Sequence, residues 1–172
     1  MALGKRLINT GAAAAVCNTD SVQAFGADSA FSSNIALYQL DGNDNDTTTN
    51  YNGTSDTGVT YSSTGAKFGQ AANFNGSSSE ITVSSFASLT QVGISMWVNM
   101  PDVTAQAGLI ARYGSNREFS IYMYGGNLIA ALYYNGNNSN SIQITASDYL
   151  TNNTWHHIAY SANGSTEPKL YI

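Results

Sequence analysis

The sequence is short of almost everything that marks a catalytic, nucleic-acid-binding or membrane-spanning chain. It has one cysteine, Cys17, in 172 residues, so no internal disulfide can form and folding in a reducing compartment is expected. Charged residues make up 10% of the chain, against about 25% in ordinary globular domains. The six Lys and Arg residues are thinly spread, and no basic stripe exists to neutralise phosphates, which argues against nucleic acid as a partner. No apolar run approaches the roughly 18 residues that a membrane-spanning helix needs, so no membrane insertion is expected. Proline occurs only at Pro101 and Pro168, each at or near the end of a strand-like run. No segment keeps a 3.6-residue apolar period, which leaves helices without a core-facing stripe.

Asn, Ser, Thr, Gly and 11 Tyr fill the space that charge leaves open. With an apolar content of 42% the chain can build a core, and its surface carries amides and hydroxyls that suit neutral ligands such as sugars. The net charge is −5. Residues 1–33 read differently from the rest: Ala-rich, without period-2 alternation or a core-forming run. "MALGKRLINTGAAAAVC" superficially looks like a signal peptide, but Asn9, Thr10 and Gly11 interrupt its apolar stretch, and Val16 before Cys17 does not suit lipoprotein processing. The segment is therefore read as a retained N-terminal anchoring arm that docks on other chains, with one domain over 34–172.

From Asn34 onward, short apolar runs alternate with Asn/Gly/Ser turns. Strands are predicted at 35–41, 71–75, 79–84, 93–100, 107–113, 118–124, 128–134, 140–146, 155–162 and 168–172. The turns are Asn75-Gly76-Ser77, Gly125-Gly126-Asn127, Asn135-Gly136-Asn137 and Asn163-Gly164-Ser165. This pattern predicts an all-β, two-sheet antiparallel sandwich of jelly-roll type. In "GISMWVNM", Ile94, Met96, Val98 and Met100 share one face and Ser95, Trp97 and Asn99 the other; the large ring on the second face predicts a central strand. "EFSIYMYGGNLIAALYYNG" reads as a hairpin in which Phe119, Ile121 and Met123 meet Leu128, Ala130 and Leu132. Tyr122, Tyr124, Tyr133 and Tyr134 fall on or near the opposite face, where they form a rim or a binding platform.

Chemistry-bearing motifs are few. In "WHH", His156 and His157 point to opposite faces of a strand and cannot share one ion without a bulge. No other histidine exists to complete a zinc site. Glu80 and Glu118 are solitary, without the paired carboxylates of glycoside hydrolysis, and no Ser-His-Asp or Cys-His set is present in the domain; no catalytic residue is assigned and the chain is read as not an enzyme. The loop "LDGNDNDTTTNYNG" is the best metal candidate. Asp41, Asp44 and Asp46 with Asn43, Asn45 and Asn50 offer hard oxygens of the kind calcium prefers, although the spacing is not that of an EF-hand. A solvated turn is the alternative. Sequons at Asn45, Asn52, Asn75, Asn137, Asn152 and Asn163 are expected by chance in this composition.

The stretches "ALYQLDGN", "TTTNYNGT", "GAKFGQAANFNGSSSEITV", "ISMWVNM", "LIARYG", "FSIYMYGGNLIAAL" and "LTNNTWHHIAYSANGSTEPKLYI" occur in an order that resembles the concanavalin A-like, laminin G-like jelly-roll family over about 35–172. The resemblance implies two curved antiparallel sheets packed face to face and a structural "WHH" at the opening of a core strand. It places Asp46 at a loop aspartate that contributes to calcium binding in some members, so Asp46, Asp44 and Asn50 are the candidate calcium ligands. Asn75 stands where the family's "F-D-G" turn commonly has aspartate, which weakens that case. The family also implies further strands after "LYI", so the domain reads as C-terminally incomplete, with open edges near 35–41 and 168–172. Either the protein continues or neighbouring chains cover those edges.

"MALGKRLINTGAAA" and "SVQAFGADSAFSSNIALYQLDG" resemble virion proteins of marine tailed bacteriophages, in which a short arm precedes a laminin G-like domain. This implies a virion structural protein (fibre, tail-associated or capsid-decorating) that is held to other virion proteins by residues 1–33, repeated as a homo-oligomer on the particle surface and able to bind host-surface glycans. The alternatives are a bacterial secreted or surface carbohydrate-binding adhesion module and a purely structural capsid decoration domain.

Overall fold

The computed structural model describes residues 35–84, 87, 89–112, 118–133, 141–163 and 167–172, and of 55–57 and 141–143 the backbone. The arm 1–33, Tyr134, the Asn135-Gly136-Asn137 turn and Gly164-Ser165 lie outside the described residues. Among the described residues every regular element is a strand, and every pairing is antiparallel. The chain divides into two compact units, Met1–Phe86 and Ala87–Ile172.

In the first unit, β1 (Gly53–Thr57) pairs with β4 (Glu80–Val83), and β2 (Thr60–Ser62) pairs with β3 (Ala71–Asn73). A bulge between Gly53 and Ser55 shifts the β1–β4 register. Ala71 and Ala72 of β3 are buried, as is Leu40. The sequence patterns of 71–75 and 79–84 thus give β3 and β4, but β1 and β2 were hidden among turn-like Asn, Gly and Ser. The strand expected at 35–41 does not form. Tyr38 makes one isolated antiparallel bridge with Asp46. Leu40 has a left-handed φ of 55°, which turns the chain out of the extended conformation that a ladder requires.

The second unit holds two sheets. One has the order β11 (Lys169–Tyr171), β10 (Trp155–Ala162), β5 (Val92–Asn99); the other has β6 (Ala107–Arg112), β7 (Phe119–Tyr124), β8 (Asn127–Tyr133), β9 (Ser141–Ser147). The hairpin register follows from its turn. Gly125 and Gly126 have φ of 57° and 81°, the two positive values that a two-residue connection with the right strand twist demands. That turn places Phe119 opposite Leu132, Ile121 opposite Ala130 and Met123 opposite Leu128, and all six are buried. On the facing sheet Met96 and Val98 of β5 are buried beside Ile158 and Tyr160 of β10. The Tyr160 hydroxyl reaches across to the Leu132 backbone, and burial pushes it up to about 12. The two inner faces therefore form one apolar layer, as alternation along each strand dictates. The expectation that β5 is central is corrected: β10 lies between β11 and β5, and β5 is the last strand of its described sheet. Trp97 is half-buried there because the His157 ring covers it from the neighbouring strand, with centroids 5.1 Å apart.

Candidate functional site

Residues 37–47 double back without forming a ladder. The Thr47 N–H donates to the Leu37 carbonyl at 2.8 Å, and Gln39 Nε2 donates to Thr47 Oγ1 at 3.2 Å. The chain reversal brings Gln39, Asp41, Asn43, Asn45 and Thr47 around one half-open depression of about 230 Å³. Pockets that enclose drug-sized ligands run to about 300–1,000 Å³, and this half-open depression is smaller. Its wall consists of amides, one hydroxyl and one carboxylate. Asp41 is steadied by the Gln70 N–H, which donates to Oδ1 at 2.8 Å, and Asn43 Oδ1 accepts the Asn45 N–H at 2.9 Å.

Asp46 builds the platform behind that wall. It is buried, and its Oδ1 accepts the N–H groups of Leu37 at 2.8 Å and Thr48 at 2.9 Å. Its Oδ2 accepts the N–H groups of Asn50 at 3.2 Å and Tyr51 at 3.0 Å and the Thr48 hydroxyl. Burial alone would raise the carboxyl, but the donors from Leu37, Thr48 and Tyr51 outweigh it and hold it below the usual carboxylate range. Tyr38 packs beside it and donates its hydroxyl to the Tyr51 carbonyl. Burial, with the Asp46 and Asp44 carboxylates adding to it, pushes that hydroxyl up to about 12.

The three candidate calcium ligands thus occupy one loop but have different surroundings. Both Asp46 oxygens face N–H and O–H donors of their own loop, so the carboxylate already has the partners that a cation would otherwise supply. Asp44 binds the loop through its backbone, its carbonyl accepting the Gly53 N–H at 3.1 Å. Asn50 Nδ2 donates to Thr48 Oγ1 at 3.3 Å. Among the described residues no three His, Cys, Asp or Glu side chains are grouped to hold a metal ion.

The "WHH" residues are engaged in sheet contacts. His157 Nε2 lies 2.8 Å from Ser95 Oγ on the outer face of β5 and β10. His156 Nε2 accepts the Thr151 N–H at 3.1 Å, which ties down the loop leading into β10. Glu118 is buried, and its Oε2 accepts Arg112 Nη1 at 2.6 Å and the Leu89 N–H at 3.0 Å.

The description Concanavalin A-like lectin/glucanases superfamily matches residues 75–172, more than half of the chain, and these residues include β4 and both sheets of the second unit. The chain belongs to the concanavalin A-like superfamily. Its laminin G-like jelly-roll class agrees with the all-β antiparallel architecture. Neither a curated protein nor a solved structure matches the chain at a significant level. Within this concanavalin A-like chain, sequence reasoning had singled out Asp41, Asn43 and Asn45 as loop oxygens but missed Gln39 and Thr47. The available signal was the run of polar side chains at every odd position from 39 to 47.

Proposed function

We propose that this concanavalin A-like chain is a non-enzymatic glycan-binding module of a tailed-phage virion, with the polar concavity at 39–47 as a subsite for a neutral sugar unit. The observation that carries the reading is the wall itself: Gln39, Asn43, Asn45 and Thr47 present amides and a hydroxyl beside a single carboxylate. Neutral amides donate and accept together, which matches sugar hydroxyls, whereas a strongly charged wall would select ions. The non-catalytic reading is supported by Glu118, whose carboxylate is occupied by Arg112 and the Leu89 N–H. The virion context rests on the resemblance of the N-terminal words and on a sparsely charged surface. Many weak sites on one particle would gain from avidity.

A glycan array on multivalent full-length protein tests the binding. Gln39→Ala with Asn45→Ala removes two wall amides and is expected to weaken the best neutral glycan about tenfold. Binding that is unchanged by the pair removes the concavity from the reading, and a blank array favours a purely structural decoration role. Running the array with calcium and with chelator tests Asp44, Asp46 and Asn50 as calcium ligands: a fall with chelator supports them, and equal binding removes them. Deletion of residues 1–33 is expected to abolish incorporation into particles; normal incorporation would sink the anchoring arm.

A further inference from the structure

The Asn75–Gly76 turn, on the described unit that precedes Ala87, has the geometry of a carboxylate cradle occupied by an amide. Asn75 Oδ1 accepts three consecutive backbone N–H groups, from Ser77 at 2.9 Å, Ser78 at 2.9 Å and Ser79 at 3.1 Å. The hydroxyls of Ser77 at 3.3 Å and Ser79 at 3.1 Å point to the same atom. Successive N–H groups converging on one point are how backbones bind anions. One amide oxygen, with partial charge only, draws far less from five donors than a carboxylate would. Among the described residues, the polar contact that an acid at this position would lose is the one from Asn75 Nδ2 to Ser78 Oγ, at 3.1 Å. A serine hydroxyl can rotate and donate instead.

We propose that Asn75 is a self-modification site that deamidates to aspartate in the folded protein. In the first step the Gly76 backbone nitrogen, losing its proton, attacks Asn75 Cγ. The Cγ–Nδ2 bond breaks, ammonia leaves, and a five-membered imide forms. Solvent water then adds to Cγ and breaks the Cγ–N bond to Gly76, which restores the main-chain peptide and leaves the aspartate carboxylate, so that amide plus water becomes carboxylate plus ammonium. The donors on Oδ1 stabilise the oxyanion of the first step as an oxyanion hole does, and they accept the product carboxylate. A Cβ added at Gly76 would meet nothing within 4 Å, so no neighbouring atom crowds that side of the turn. Gly76 also has a φ of 75°, which disfavours any side chain that would shield its nitrogen. Asn52–Gly53 offers an internal contrast. There the Gly53 N–H is committed to the Asp44 carbonyl at 3.1 Å, and Asn52 Oδ1 accepts a single N–H, from Asp46, at 2.9 Å. Each conversion adds one negative charge to the formal −5.

Site-resolved peptide mass spectrometry of the native full chain, aged at mildly alkaline pH, tests this. Asn75 is expected to convert about tenfold faster than Asn52, and Ser77→Ala with Ser79→Ala to slow it severalfold. Conversion no faster than at Asn52, a rate indifferent to the two serines, or faster conversion in urea than in the native chain would each overturn the proposal. As a second arm, Asn75→Asp supplies the product directly. It is expected to melt at or above the parent temperature at neutral pH; melting below the parent would overturn the cradle.

Discussion

Replacing Asp46 by alanine is expected to destabilise the first unit by about 3 kcal/mol, because it strips acceptors from several part-buried donors at once. The N–H groups of Leu37, Thr48, Asn50 and Tyr51 all end on this one carboxylate. Water can satisfy the more exposed of them, which keeps the cost below the sum of four lost bonds. Asp46→Asn keeps one acceptor oxygen but turns an NH2 group toward donors, and is expected to cost about 2 kcal/mol. Urea unfolding of the full chain, with amide exchange read at 37–51, measures both. The pH dependence has a definite sign. The carboxyl is held below its ordinary value in the folded chain, so its contribution is complete above the unfolded carboxylate pKa and fades as pH falls through the folded one. The parent should therefore lose its margin over Asp46→Ala on acidification. An alanine variant within about 0.5 kcal/mol of the parent at neutral pH would refute the role given to Asp46.

Glu118→Ala is the other substitution with a large expected effect, about 3 kcal/mol, because it removes the mostly buried carboxylate that the Arg112 guanidinium and the Leu89 N–H both meet. The pair does more than offset charge. Arg112 Nη1 also donates to the Ala87 carbonyl at 2.9 Å, and Glu118 accepts the Leu89 N–H. Together they pin residues 87 and 89 to the end of β6 and to Glu118, which immediately precedes β7. The Arg112 and Glu118 side chains are 20% and 8% exposed, so the desolvation of both is largely complete. Replacing the two by Met and Leu together should cost less than Glu118→Ala alone, since the guanidinium then leaves together with its carboxylate. A double-mutant cycle by thermal and urea unfolding checks this. Strictly additive losses would show that the two side chains act independently.

Much of the second unit was legible because its signal is local. Alternation in 119–123 and 128–132 decides which side chains face inward whatever they meet, and the Gly125-Gly126 pair fixes how the two strands pair. The same logic separated His156 from His157, and the structure puts one against Thr151 and the other against Ser95. The first unit was harder to read. Apolar residues at 35–41 suggested a strand, but Leu40 takes a left-handed conformation that no side-chain pattern announces. The strands β1 and β2 are built from Gly, Ser, Thr, Asp and Tyr, residues that the same chain also uses for turns.

The acidic loop shows why residue type alone leaves a site open. Asp41, Asp44, Asp46 and three asparagines offer the same oxygens whether they surround a cation or hold a loop together. What separates the two is the direction from which donors arrive, and those donors are mostly backbone N–H groups, which every residue carries and no sequence pattern marks. Glu118 carried the same ambiguity. In sequence it was a lone acid before a strand; its partner N–H at Leu89 lies 29 residues away.

By itself the sequence determined the all-β class, which side chains of the hairpin share a face, that His156 and His157 lie on opposite faces of β10, and a sparsely charged polar surface, because alternation and composition act residue by residue. Only the tertiary structure decided that donors of its own loop converge on Asp46, that Glu118 meets Arg112 and the Leu89 N–H, that Gln39 and Thr47 share a concavity with Asn43 and Asn45, and that five donors converge on Asn75. Hydrogen bonding is directional and saturable, so the role of a polar side chain is set by which donors the folded backbone aims at it.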